Sequence, residues 1–172
     1  MKIVLIVLGA LLGLVALVAL VGLLLSREHR ASRSIVLHQP PDSVWTVIRD
    51  FSSIPAWWSE MKRAERLPDE GGKERWHQNV GGFEMPLEVT EEQRPRRLVT
   101  RILSAEGAAF GGRWIYEIEP VAAGSRVTVT EDGWIGNVLF RTMAQVTGLD
   151  RSIKQYLVAL GGKFGETVEP TD

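Results

Sequence analysis

The chain has 172 residues, enough for one domain with a real core. Its 20 Lys and Arg nearly balance 21 Asp and Glu, a pattern that gives no reason to bind nucleic acid or another polyanion. It has no cysteine, which excludes disulfides, CxxC redox chemistry and thiolate zinc sites.

From the N-terminus, residues 3–25 hold no charge and nothing more polar than glycine. A helix of that length measures about 34 Å and can cross a hydrocarbon core of about 30 Å. A cleavable signal has a shorter apolar stretch ending in a small-x-small site. Here the segment runs into Leu23-Leu24-Leu25-Ser26-Arg27. The expectation is an uncleaved, single-pass anchor in residues 1–26, followed by a basic linker at 27–33. Arg27, Arg30 and Arg33 outweigh Lys2 across the span, so the positive-inside rule places the soluble part in the cytoplasm.

Residues 32–38 read as a short β-branched strand that Pro40 and Pro41 terminate. Asp42 or Ser43 can cap a helix whose apolar face is Val44, Val47, Ile48 and Phe51. Ser52 or Ser53 restarts a second short helix, with Pro55 near its first turn and Trp57 and Trp58 at its end. Residues 73–80, 83–91, 97–104, 112–119 and 125–134 alternate or carry β-branched residues between Gly- and Pro-rich breaks, and 61–67 adds another such segment. Successive short strands without crossover helices predict an antiparallel meander. Leu139, Met143, Val146, Leu149, Ile153, Tyr156, Leu157, Leu160 and Phe164 then predict one long amphipathic helix over residues 137–165. Gly148 is its weak point, and residues 166–172 read as a frayed tail. The fold class is α+β, a curved antiparallel sheet around a long helix. A hollow remains wherever their side chains do not meet.

Motifs for chemistry are sparse. His29, His38 and His77 are scattered without an HExxH or HxH pattern, so no metal site is expected. No GxxxxGK[ST] or GxSxG occurs, and no cofactor is expected. Glu117 and Glu119 share a strand face with Arg113 and read as solvated. Glu131 differs, because period two puts it on the same face as Val127 and Val129. It is either an inward carboxylate in an apolar hollow, or a strand-end group that reaches water or an arginine such as Arg101. Trp114 and Tyr116 share an inward face, as do Phe83, Met85, Leu87 and Val89, while Trp76 shares its face with Gln78 and Val80. Trp45 reads as core. Trp57 and Trp58 are adjacent and cannot face the same way, so one fills the core while the other projects toward a cavity mouth or membrane interface.

Three stretches resemble the START/Bet v 1-like (SRPBCC) superfamily, in its polyketide cyclase/dehydrase and lipid-transport type. They are Pro40-Pro41-Asp42-Ser43-Val44-Trp45 through Ile54-Pro55-Ala56-Trp57-Trp58, Ser125-Arg126-Val127-Thr128-Val129-Thr130-Glu131-Asp132-Gly133, and Leu149-Asp150-Arg151-Ser152-Ile153 through Leu160. The resemblance implies a helix-grip fold over residues 34–165: about seven strands wrapped around the C-terminal helix, with two short helices closing one end. It also implies a cavity for an apolar ligand such as a lipid, quinone or polyketide-like molecule.

The expected function is a membrane-tethered carrier or sensor of a hydrophobic small molecule. Trp57, Trp58, Trp76, Phe83, Met85, Trp114, Tyr116, Glu131 and Met143 are the expected ligand-binding residues. Two alternatives remain. One is a cyclase, aromatase or dehydratase using Glu131 or His77. The other is an adaptor whose tryptophans bind a membrane protein.

Overall fold

A computed structural model describes residues 2–172. The elements in chain order are α1 (Lys2–Leu24), β1 (Glu28–Leu37), α2 (Pro41–Arg49), a 3-10 helix (Phe51–Ala56), β2 (Met61–Glu70), β3 (Lys73–Val80), β4 (Phe83–Gln93), β5 (Arg97–Ile102), β6 (Phe110–Val121), β7 (Gly124–Ile135), α3 (Val138–Thr147) and α4 (Arg151–Lys163). The seven strands form one antiparallel sheet in the order β1-β7-β6-β5-β4-β3-β2. This is the α+β, helix-grip arrangement expected from the sequence. Six strands follow one another as a meander, and β1 joins the far side of β7, pairing Ile35 with Val127 and Ala31 with Glu131.

Local chemistry sets the joints. Pro41 occupies the first turn of α2, where its missing N–H is not needed, and Asp42 and Arg49 lie at the ends favoured by the helix dipole. The hairpin between β3 and β4 turns on Gly81 and Gly82, both at positive φ (59° and 86°), the conformation of a tight two-residue turn.

The core fills one end of the concave face. Ile153, Tyr156, Leu157 and Leu160 of α4 pack with Val44 and Ile48 of α2 against Leu37, Leu98, Ile118 and Val127 of the sheet, all essentially without exposure. Each such aliphatic side chain contributes about 1.5–3 kcal/mol by burial.

Three expectations are corrected. The long terminal helix is two helices. Gly148 breaks it at φ 92° and ψ 124°, outside helical space, and Asp150 starts α4 afresh. The stretch read as a basic linker is mostly strand. β1 begins at Glu28, so only Leu25, Ser26 and Arg27 join it to α1, and Ile135 N–H donates to the Arg27 carbonyl at 2.8 Å. The terminal segment is tied down. Thr171 and Ser34 exchange backbone hydrogen bonds of 2.9 Å, Val168 packs on the core, and the Glu166 carboxylate accepts from the His38 backbone N–H at 3.1 Å.

α1 is long and apolar enough to cross a membrane. Its last turns pack on α3. Gly22 is buried there, and an added Cβ would lie 2.3 Å from the Val138 carbonyl oxygen. The Thr142 hydroxyl donates to the Val18 carbonyl at 3.0 Å. Arg141, 7% exposed, donates to the carbonyls of Gly22 (2.9 Å) and Leu25 (3.0 Å) and to that of Ile135 at the end of β7 (2.9 and 3.1 Å). A cation that satisfies the last free carbonyls of a helix also complements its dipole.

On the opposite side of the fold, Asp150 joins β1 to α4 by accepting from Lys154 at 2.8 Å and pairing with Arg33 at 2.6 Å. The Lys154 hydrogen bond, the largest effect, and the Arg33 charge outweigh burial and hold the Asp150 carboxyl below its ordinary 3.8. A carboxylate lowered on folding adds stability above its unfolded pKa and loses it as pH falls through the folded value. Asp150→Asn should therefore lower stability near neutral pH by about 1–3 kcal/mol. The gap to the parent protein should close below roughly pH 4. Urea unfolding of both proteins at neutral and acid pH checks this.

Candidate functional site

Beyond the packed core, the other end of the concave face is hollow. The cavity is about 500 Å³, within the usual range for a small-molecule site. Its walls are the inward rows of successive strands: Gln78 and Val80 of β3, Phe83, Met85 and Leu87 of β4, Thr100 and Ile102 of β5, Trp114 and Tyr116 of β6, and Glu131 of β7. Strand alternation places every second side chain there. Trp58, Tyr156 and the inner face of α3 complete the lining.

Two aromatic groups bound the space. The inner group centres on Tyr156, whose ring lies 5.2 Å from Trp58, 5.7 Å from Tyr116 and 5.8 Å from Trp114. Burial, and then the neighbouring Tyr116, pushes the Tyr156 phenol well above its ordinary pKa, so it is a neutral hydroxyl. That hydroxyl and the Trp58 indole N–H are buried without a hydrogen-bond partner in the protein. The outer group is Phe83, Phe110 and Phe140, from three separate elements, with centroids 5.5–6.0 Å apart.

One polar pair lies on the wall. His29 Nε2 and Glu131 Oε1 are 3.0 Å apart, and both residues line the cavity. The His29 side chain is 8% exposed and its Nδ1 has no partner. Burial, and then the Glu131 charge, raises the Tyr116 phenol above its ordinary range. The wall thus offers one acid–base pair amid mostly apolar groups, with the charged Glu60, Arg113 and Arg151 also among its lining residues.

Of the residues proposed from sequence, Trp58, Phe83, Met85, Trp114, Tyr116, Glu131 and Met143 line this cavity. Trp57 and Trp76 do not. Trp57 packs on the same Tyr156 ring as Trp58, at 5.5 Å, but lies outside the lining. Trp76 points to the concave side, but Phe51 of the 3-10 helix plugs that position edge-on at 5.3 Å, and its indole N–H donates to Glu74. His77 is on the outer face, 3.0 Å from Glu84, and Arg101 pairs with Glu88 rather than Glu131. His29 was missed because β1 was started too late in sequence. Extended to Glu28, the same alternation that turns Ile35 and Leu37 inward also turns His29 inward. Among the described residues, no three His, Asp or Glu side chains are grouped to hold a metal.

The family described as polyketide cyclase/dehydrase and lipid transport matches residues 28–163, which is most of the chain. The chain belongs to this family. Among solved structures, it is similar in fold to a START superfamily protein from Mycobacterium smegmatis (16% identity, 78% of this chain and 96% of that one, TM-score 0.60). It is similar to the Zhui aromatase/cyclase from Streptomyces sp. R1128 (16% identity, 79% and 93%, TM-score 0.64). It is also similar to a hypothetical protein from Helicobacter pylori (16% identity, 77% and 85%, TM-score 0.65). No curated protein matches the chain in sequence. The folded part is thus a polyketide cyclase/dehydrase and lipid-transport domain with a cavity at one end of its concave face.

Because the Tyr156 hydroxyl bonds to no protein group, Tyr156→Phe should leave stability unchanged or raise it by up to about 1 kcal/mol. Equilibrium unfolding measures this, and a loss larger than that would mean the hydroxyl has a partner in solution.

Proposed function

We propose that this member of the polyketide cyclase/dehydrase and lipid-transport family is a membrane-tethered carrier or sensor of a hydrophobic small molecule, of lipid, quinone or polyketide-like chemistry. The observation that carries the reading is the cavity of about 500 Å³, walled by Met85, Leu87, Ile102, Trp114 and Tyr116, beside the C-terminal end of α1. Such walls pay no desolvation penalty when they receive an apolar ligand, and a few polar atoms suffice to orient it.

Retention of α1 is supported by Arg141 and Thr142, which lose their Gly22, Leu25 and Val18 partners if the segment is removed. We take residues 1–26 as the anchor and 34–165 as the main body of the binding domain, with 27–33 joining them largely as strand. Arg27 and Arg30 flank the span and favour a cytoplasmic domain. The adaptor reading has less support, because all six tryptophans are buried or half-buried.

The second reading, an enzyme acting on a cavity-bound substrate, is favoured by the His29–Glu131 pair. The pair can hold and return a proton at the cavity wall. The likeness in fold to an aromatase/cyclase agrees with it.

Native mass spectrometry of the full chain released from lipid nanodiscs should show one apolar molecule per protein. An empty protein that binds nothing across a panel of lipids and quinones would reject the carrier reading. Glu131→Gln should keep the fold and change affinity for the molecule found. Unchanged affinity would remove Glu131 from the site, whereas loss of a chemical conversion of that molecule would favour the enzyme.

A further inference from the structure

α3 carries an unpartnered apolar stripe. Leu139, Met143 and Val146 follow one another at helical spacing and remain 42%, 61% and 83% exposed with α1 in place. Met143 also lines the cavity, as does Phe83, itself 48% exposed. The stripe therefore runs along the rim of the mouth, and the three phenylalanine rings stand immediately inside it.

Its depth follows from α1. The Val18 carbonyl that accepts from Thr142 lies about 24 Å along the helix from Lys2. If Lys2 sits at the far surface, that point is still inside a hydrocarbon core of about 30 Å. The Gly22–Val138 and Val18–Thr142 contacts run α3 antiparallel to α1, so the stripe descends from Leu139 at the near boundary of the core to Val146 within the acyl layer. Arg27 stacks over Trp134 at 5.7 Å at the α1–β1 joint, a cation and an indole of the kind that settle at headgroup level. The joint has almost no slack, because β1 starts at Glu28.

We propose that α3 dips from the headgroup–acyl boundary into the bilayer that α1 spans, with Leu139 uppermost and Met143 and Val146 in the acyl layer. The cavity mouth then opens to lipid, and the ligand moves between membrane and cavity past Phe83, Phe110 and Phe140 without crossing water. The occupant of the stripe is the membrane itself, fixed by its continuity with α1. This rests on the tethered reading and adds to it a direction for the mouth.

The test uses the cysteine-free full chain, reconstituted in phosphatidylcholine/phosphatidylglycerol vesicles. Single cysteines at Leu14→Cys, Phe83→Cys, Met143→Cys, Val146→Cys and Glu119→Cys each carry an environment-sensitive fluorophore. Quenching is read with lipids spin-labelled near the carbonyl end or the methyl end of the acyl chain. The labels at 83 and 143 should be quenched roughly twofold more by the shallow spin label than by the deep one, and the label at 146 by both. The label at 14 should respond to the deep one, and the label at 119, at the other end of β6, to neither. Quenching at 14 with 83, 143 and 146 as silent as 119 would overturn the lipid-facing mouth and leave the tether standing. It would also pass the stripe to a protein partner. Silence at 14 would overturn both.

Discussion

The cavity exists because α4 is too short for the sheet it covers. Its 13 residues reach about 20 Å as a helix, whereas the 12-residue strands β6 and β7 extend about 40 Å. A sheet with one concave face has nothing else to bury it against at that end. α4 and α2 therefore make a solid core over roughly half of the face, ending at Tyr156. Beyond it the inward side chains of β4 to β7 continue their alternation with no helix pressed on them. Gly148 sets the division. Were the terminal helix continuous, α3 would extend along the axis of α4. With the break, α3 turns to rest on α1 and roofs the hollow instead of filling it.

That arrangement makes Arg141 the joint between two kinds of environment. One buried guanidinium holds the last carbonyls of an apolar helix and the end of β7 together. Its fixed fork of donors suits several carbonyls at once, which a lysine ammonium does not reproduce. The apolar helix, the roof and the sheet end thus meet at one side chain. The seating of α1 on the domain and the shape of the cavity mouth share a cause.

Much of the architecture was legible from period and punctuation. The meander followed from five alternating segments and their glycine breaks, and the inward row of Phe83, Met85 and Leu87 from period two alone. The misses have local reasons. Gly148 was visible, but a single glycine in a long apolar pattern does not reveal whether a helix bends or ends. Read from Ser32, β1 leaves Glu28, His29 and Arg30 in what looks like a basic linker. Only pairing with β7, a contact across about a hundred residues, makes them strand and brings His29 to Glu131. Trp76 faces the expected side, and its exclusion from the cavity depends on Phe51, a tertiary contact that no pattern in β3 encodes. The burial of Arg141 depends on α1 ending beside it, a contact across more than a hundred residues.

The tied-down terminal segment has a further consequence at the sheet's margins. An open sheet has two edge strands, and each is a template for a neighbouring chain. At β1 that template is interrupted, because Thr171 pairs with Ser34, and just past the strand Glu166 takes the His38 N–H. At β2 it is blunted differently, by Pro68 and a run of charges from Lys62 to Asp69. With both margins closed, crowded copies can lie side by side without zipping into a continuous sheet.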